Sequence, residues 1–226
     1  MTQIEISAFI SLSIQIIIAI ISLYGIQISN KLPNQYKLLK HILILETIVQ
    51  FIELVFYSWL TFNIIQKSLP NNITAYRYID WALSTPTMLI STILYFKFLD
   101  GDSRSAIEII LDNKNDILQI IICNWIMLII GFLVEIDYIP KIQGIIIGFI
   151  PFYYMFYKLY KFANKDKSKL IFKIMSILWS LYGVAAFFNY NNKNTFYNLI
   201  DIVSKNFYSL FIFNEIYTLN KNKLFS

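Results

Sequence analysis

Apolar stretches recur along nearly the whole chain, and each is long enough to cross about 30 Å of hydrocarbon, which takes about 20 residues at 1.5 Å each. Seven are read, over residues 5–29, 37–64, 75–98, 115–135, 141–163, 168–189 and 196–219. The connectors carry breakers and polar residues, as in SNKLPNQ, SLPNNIT, IDYIPK and NYNNKNT. A soluble domain does not need a chain that is 57% hydrophobic and only 15% charged, with a mean hydropathy of +0.57. The expected fold class is an all-α membrane protein, a seven-helix bundle forming a single transmembrane domain over residues 1–226. The partner this implies first is the lipid bilayer, with multi-pass insertion.

Orientation follows from the basic residues. Lys31, Lys37, Lys40, Lys97, Arg104, Lys114, the lysines from Lys158 to Lys173, Lys221 and Lys223 flank one side, leaving Lys67, Arg77, Lys141 and Lys193 for the other. The crowded side is expected to be cytoplasmic and the N-terminus outside. A solvated positive-inside loop then accounts for the net charge of +5 and the KFANKDKSKLIFK run without a nucleic-acid partner. The first segment lacks a basic leader and a small-residue cleavage site and is read as a retained span. A lone Cys123 has no internal disulfide partner, and a lone His41 makes no histidine-based metal site. Between the third and fourth spans, LDGDSRSAIEIILDNKND interleaves Ala106, Ile107, Ile109, Ile110 and Leu111 with charges, which predicts a short amphipathic helix at the interface.

Two places put charge where hydrocarbon opposes it. Lys205, in LIDIVSKNFYSLF, lies about 14 residues from the end of its span, roughly 20 Å deep, too far for its stem to snorkel. Asp201 precedes it by four residues, so the two share a face and could form a plain ion pair. In RYIDWALSTP of the third span, Arg77, Asp80, Ser84 and Ser91 fall in one narrow stripe at 100° per residue, which turns a second carboxylate and an arginine to the interior. A buried lysine amine can condense with a carbonyl ligand, and acids such as Asp80 and Asp201 beside the resulting cationic imine stabilise its charge. Trp81, Trp179 and Tyr182 could sandwich a flat polyene, with Thr85, Met127 and Gly131 shaping the walls, although any one of these aromatics could equally be core packing.

RYIDWALSTP with DIVSK in the seventh span resembles the microbial rhodopsins over essentially all seven helices. The resemblance implies all-trans retinal on Lys205 as a Schiff base, Asp80 as primary counterion and proton acceptor, Asp201 as second counterion, and Arg77 organising the extracellular half. It makes Ser84, Trp179 and Tyr182 pocket residues, and it implies a photoreceptor rather than an enzyme, with no catalytic or metal site. Membership often brings homo-oligomers. The chain departs from pump-like members at Gly183 and Ala186, where they carry proline and then an aromatic, and at Ser84, where they carry threonine.

The same stretch of chain bears on transport. Ser91 stands at the family's cytoplasmic proton-donor position, and a serine hydroxyl does not release a proton readily near neutral pH. No Asp or Glu lies between Trp179 and Asp201, where pumps place release carboxylates. Polar groups gather instead on the second span, where Glu46, Gln50, Glu53 and Tyr57 are spaced 4, 3 and 4 apart on one face. Acidic groups along a path suit cations. This pattern, with Asn206 directly after the lysine, is similar to channelrhodopsins, whose central gate joins a first-helix serine (Ser11 or Ser13 here), the glutamate (Glu46) and the asparagine (Asn206). Size and composition look most like rhodopsins encoded by giant viruses, placing the protein in a host cell membrane. The expected function is a light-gated channel for monovalent cations and protons first, an outward proton pump using Glu46 as donor second, and a photosensor acting through a partner, or a retinal-free seven-helix receptor, third. Glu46 and Glu53 could also be satisfied packing groups.

Overall fold

The structure, a computed structural model, describes residues 1–224, and all regular secondary structure among them is helical. The helices are α1 (Gln3–Ser29), α2 (Lys37–Ile65), α3 (Ile73–Leu99), α4 (Ala106–Asp112), α5 (Lys114–Glu135), α6 (Lys141–Tyr160), α7 (Asp166–Ala185), α8 (Tyr190–Asp201) and α9 (Phe207–Leu224). A π turn, Ile202–Asn206, joins α8 to α9 into one seventh span. Consecutive spans run antiparallel, so one face of the bundle carries the N-terminus and the other the lysine-rich connectors.

Local chemistry sets the helix starts. Thr2 accepts from the Glu5 amide while Glu5 returns a carboxylate to the Thr2 N–H, and Ser105 and Glu108 repeat this reciprocal arrangement at α4. The polar run around Asn189 is not the loop that its composition suggests. Asn189 accepts from the Asn192 amide and starts α8 at Tyr190, so asparagines that read as a connector form a polar first turn. The seventh span is thus longer than expected, while α7 ends at Ala185 rather than 189 and α6 at Tyr160 rather than 163.

Five helices, α1, α3, α5, α6 and α7, are long and apolar enough to cross a membrane by length and composition. The other two spans, α2 and α8–α9, carry buried polar and charged groups such as Glu46, Gln50 and Glu53, and Asn198, Asp201 and Lys205. On α6, Ile142, Ile146, Ile150, Tyr153 and Tyr157 are exposed and lie on the lipid side, while Phe152, Met155, Phe156 and Leu159 are buried. The predicted short helix is α4: Ile109 is buried, and Ile107 and Leu111 stay exposed. Beside it Arg104 grips Asp102 and Asp112, and its hydrogen bonds hold the Asp102 carboxyl below the usual carboxylate range. His41 is exposed near the start of α2, on the lysine-rich face, and Cys123 is half-buried in α5.

Pro86 sits inside α3 and removes the amide that would bond to the Ala82 carbonyl one turn earlier. The Trp125 indole N–H of α5 donates to that carbonyl at 3.0 Å, and the neighbouring Asn124 amide donates to Thr85 Oγ1 at 2.8 Å. A backbone group freed in hydrocarbon must find such a partner. Pro86 and the α3–α5 contact are therefore one feature.

Candidate functional site

Lys205 lies in the π turn, a backbone form that recurs at functional sites because it inserts one residue and displaces the helix register. Its ammonium is buried mid-bundle, and three carboxylates surround it: Glu53 Oε1 at 2.6 Å, Asp80 Oδ2 at 3.1 Å and Asp201 Oδ1 at 3.6 Å. These acids come from α2, α3 and α8, so three helices converge on one nitrogen. Their oxygens stand close enough together to hold a metal ion, but the Lys205 ammonium already provides the cation at their centre.

Each acid is held differently. Asp201 accepts from Tyr57 at 2.7 Å, from Tyr182 at 2.7 Å and from Arg77 at 3.0 Å. Glu53 accepts on its other oxygen from the Gln15 amide of α1. Asp80 has Lys205 on Oδ2 and, among the described residues, no partner on Oδ1. Charge pairs buried this deeply are tolerated only when hydrogen-bonded and opposed, and their loss leaves uncompensated charge. Arg77, fully buried, also donates to Asn198 and to Tyr57 and lies over the Phe56 ring at 4.8 Å, fixing the side of the site nearer the N-terminal face.

On the opposite side of the nitrogen a cavity of about 610 Å³ opens between α3, α5, α6 and α7. Trp81, Thr85, Met127, Gly131, Trp179 and Tyr182 line it, Lys205 lies at its inner end, and Gly183, Ala186 and Phe149 extend the wall towards Lys141 and Lys193 at the N-terminal face. Trp81 is edge-on to Tyr182 at 5.3 Å and to Tyr197 at 5.1 Å, and Trp179 is edge-on to Phe156 at 5.8 Å, so the aromatic walls are mutually braced. At Gly131 a Cβ would come within 2.5 Å of Tyr78 Oη, so this wall has no room for a larger residue.

Several expected site residues fall elsewhere. Ser84 is buried one turn after Asp80, but it is not among the cavity's lining residues and its hydroxyl has no partner among the described residues. Ser13 is exposed on the outer side of α1 and bonds its own helix at Phe9 O, so it does not face the bundle. Ser11 does face inward, but donates to Asn198 O, well to the N-terminal side of Asn206. Glu46 receives a hydrogen bond from Ser91 of α3, and Asn206 is buried with neither amide atom partnered among the described residues. The α1 residue that meets a glutamate is Gln15, and the glutamate is Glu53. The gate grouping of Ser11 or Ser13 with Glu46 and Asn206 is therefore not assembled. Gln15 and Asn198 were missed from sequence; Gln15 is an amide in an otherwise apolar stretch, which is itself a signal in hydrocarbon, whereas Asn198 is hidden among the asparagines that open α8.

A bundle of seven membrane spans with a lysine amine buried among acids, at the inner end of an aromatic cavity, defines a class of chromophore-carrying membrane proteins. The chain belongs to the bacteriorhodopsin-like protein family, whose sequence model matches residues 7–219. A green-light absorbing proteorhodopsin from Gamma-proteobacterium EBAC31A08 is 25% identical over 162 residues, 62% of this chain and 60% of that protein, so the chain aligns with under two thirds of its length. The crystal structure of viral rhodopsin OLPVRII superposes with a TM-score of 0.85 at 26% identity, covering 96% of this chain and 98% of that one. Acetabularia rhodopsin I gives a TM-score of 0.75 at 14% identity over 97% and 96% of the two chains. The family is one of membrane photoreceptors and ion transporters that bind retinal. The residues present fit that group: a lysine at the inner end of an apolar, aromatic-walled cavity, with carboxylates around its amine.

Proposed function

We propose that the chain is a light-gated cation channel, inserted with its N-terminus outside and its lysine-rich face in the cytoplasm. The observation that carries this reading is a column of buried polar side chains between α1, α2 and the seventh span. Ser7 and Ser11 of α1 bond Asn198, Gln15 bonds Glu53 of α2, Tyr57 of α2 bonds Asp201, and Ser22 bonds Ser209, with Gln50 and Asn206 buried between them, while Glu46 of α2 turns to Ser91 of α3. Retinal packing does not require these groups, since the cavity lies on the other side of Lys205. Acidic and amide groups along one column suit the passage of hydrated cations.

Retinal, when bound at Lys205, supplies absorption of visible light and a light-driven change of shape. The chain's own groups supply the rest. A proton leaving the Lys205 nitrogen has two acceptors in reach, Asp80 Oδ2 and Glu53 Oε1, while Arg77, Tyr57 and Tyr182 hold Asp201 in place. Once that nitrogen carries no charge, Glu53 keeps only its bond to Gln15, and the contact between α1, α2 and the seventh span at mid-membrane is free to rearrange. Photocurrent recorded against voltage while cations are exchanged tests this. A current that reverses where the cation gradient dictates is the expected result, and one that never reverses overturns the reading.

A second reading, an outward proton pump, draws on one specific contact. The Ser91 hydroxyl, at the position of the family's donor, is bonded to Glu46, which places a carboxylate one residue away from that position in space. In this reading Glu46 holds the proton that returns to the Lys205 nitrogen from the cytoplasmic side. Sustained acidification outside illuminated cells, abolished by a protonophore, is its signature.

A further inference from the structure

The polar column does not run the full depth of the bundle. Its last rung towards the lysine-rich face is Ser22 of α1 against Ser209 of α9, hydroxyl to hydroxyl at 2.9 Å. One turn further on, the three helices meet through apolar side chains, Leu43 of α2 and the partly buried Phe213 of α9. Gly25 of α1 is buried there, and a Cβ built on it would lie 2.7 Å from Leu43 Cδ2 of α2 and 2.7 Å from Phe213 Cδ2 of α9. Such distances mean that the backbone of α1 is in contact with both side chains, and the absence of a side chain on residue 25 is what permits it. Leu43 is fully buried.

We propose that Leu43 and Phe213, closed on Gly25, form a dry plug that shuts the conduction path on the lysine-rich side of the bundle. This rests on the channel reading and adds to it a second, apolar barrier separate from the charged cluster at Lys205. A cation that has reached Ser22 and Ser209 would have to shed its water to go further, and a close-packed apolar contact holds no water to replace it. Constrictions of this kind open when they widen enough to wet.

The plug is mechanically tied to the site. Phe213 follows Lys205 by eight residues, about 12 Å along the helix that leaves the π turn, and Leu43 lies one turn from Glu46 on α2. A shift or rotation of α9 at the π turn moves Phe213 relative to Gly25.

The test uses the full chain loaded with retinal, in voltage-clamped cells, with Leu43→Ser and Phe213→Ala each compared in the dark and in light. Dark cation current on the order of tenfold above that of the unaltered protein is expected from either variant, with the visible absorption band in place because neither residue lines the cavity. That band also reports folding, so a variant without colour is set aside and the other decides. Dark current at background in a coloured variant, with unchanged closing kinetics, overturns the plug while a reversing photocurrent in the unaltered protein leaves the channel reading standing. A photocurrent that never reverses in the unaltered protein overturns the channel reading and the plug with it.

Discussion

On one side of Lys205, α1, α2 and the seventh span meet through hydroxyls, amides and carboxylates; on the other, α5, α6 and α7 with α3 enclose a cavity walled by tryptophan, tyrosine and small residues. Lipid tails are as apolar as leucine, so oily packing alone gives a membrane bundle little reason to associate specifically. The polar side supplies that specificity through bonds such as Gln15 to Glu53 and Ser22 to Ser209, and the aromatic side supplies a space of fixed shape. Lys205 belongs to both, since its ammonium faces the acids and its stem faces the cavity. In the proposed channel, this contrast lets one residue couple light capture on one side to the polar path on the other.

The largest way to break that contrast is to remove the shared residue. Lys205→Ala is expected to abolish the visible absorption band on addition of retinal, read by spectrophotometry of the purified protein. A coloured, photoactive Lys205→Ala protein without any added amine would contradict the whole site. Next in size, Asp80→Asn and Glu53→Gln each remove one negative charge beside the Lys205 nitrogen. Both should shift the absorption band to the red, and the contact distances of 3.1 and 2.6 Å predict a Glu53→Gln shift at least comparable with that of Asp80→Asn. An unchanged band in Glu53→Gln would show that the polar side does not reach the chromophore site. Smallest is a change to the aromatic wall: Gly131→Ala forces a methyl against Tyr78, with a cost of about 1–3 kcal/mol for overpacking, measured as a lower thermal midpoint of the pigment.

Much of this arrangement is legible in the sequence because hydrocarbon makes exceptions conspicuous. Apolar run length alone marks the spans, and Arg77, Asp80, Asp201 and Lys205 stand out as charges with no business in lipid unless they meet. What the sequence does not carry is which side chain of one helix faces which of another. Ser11 and Ser13 are two residues apart and so nearly opposite in direction, and only the packing of α1 on α8 turns Ser11 inward. Likewise Glu46 and Glu53 share a face of α2, but their partners, Ser91 on α3 and Gln15 on α1, are set by helix tilt and depth. The early start of α8 was hidden because asparagines serve turns and helix caps equally well.

The π turn at Ile202–Asn206 has a consequence for phase. It fits one more residue into its winding than an α-turn would, so the inward stripe of α8, with Asn198 and Asp201, and that of α9, with Ser209 and Phe213, are in step only because of that insertion. Deleting Val203, whose side chain is exposed, would take out nothing the site touches yet would wind all of α9 by about 100° against α1 and α2. The seventh span is therefore keyed at a single joint, where a shift of one residue in length would dial every later contact out of alignment.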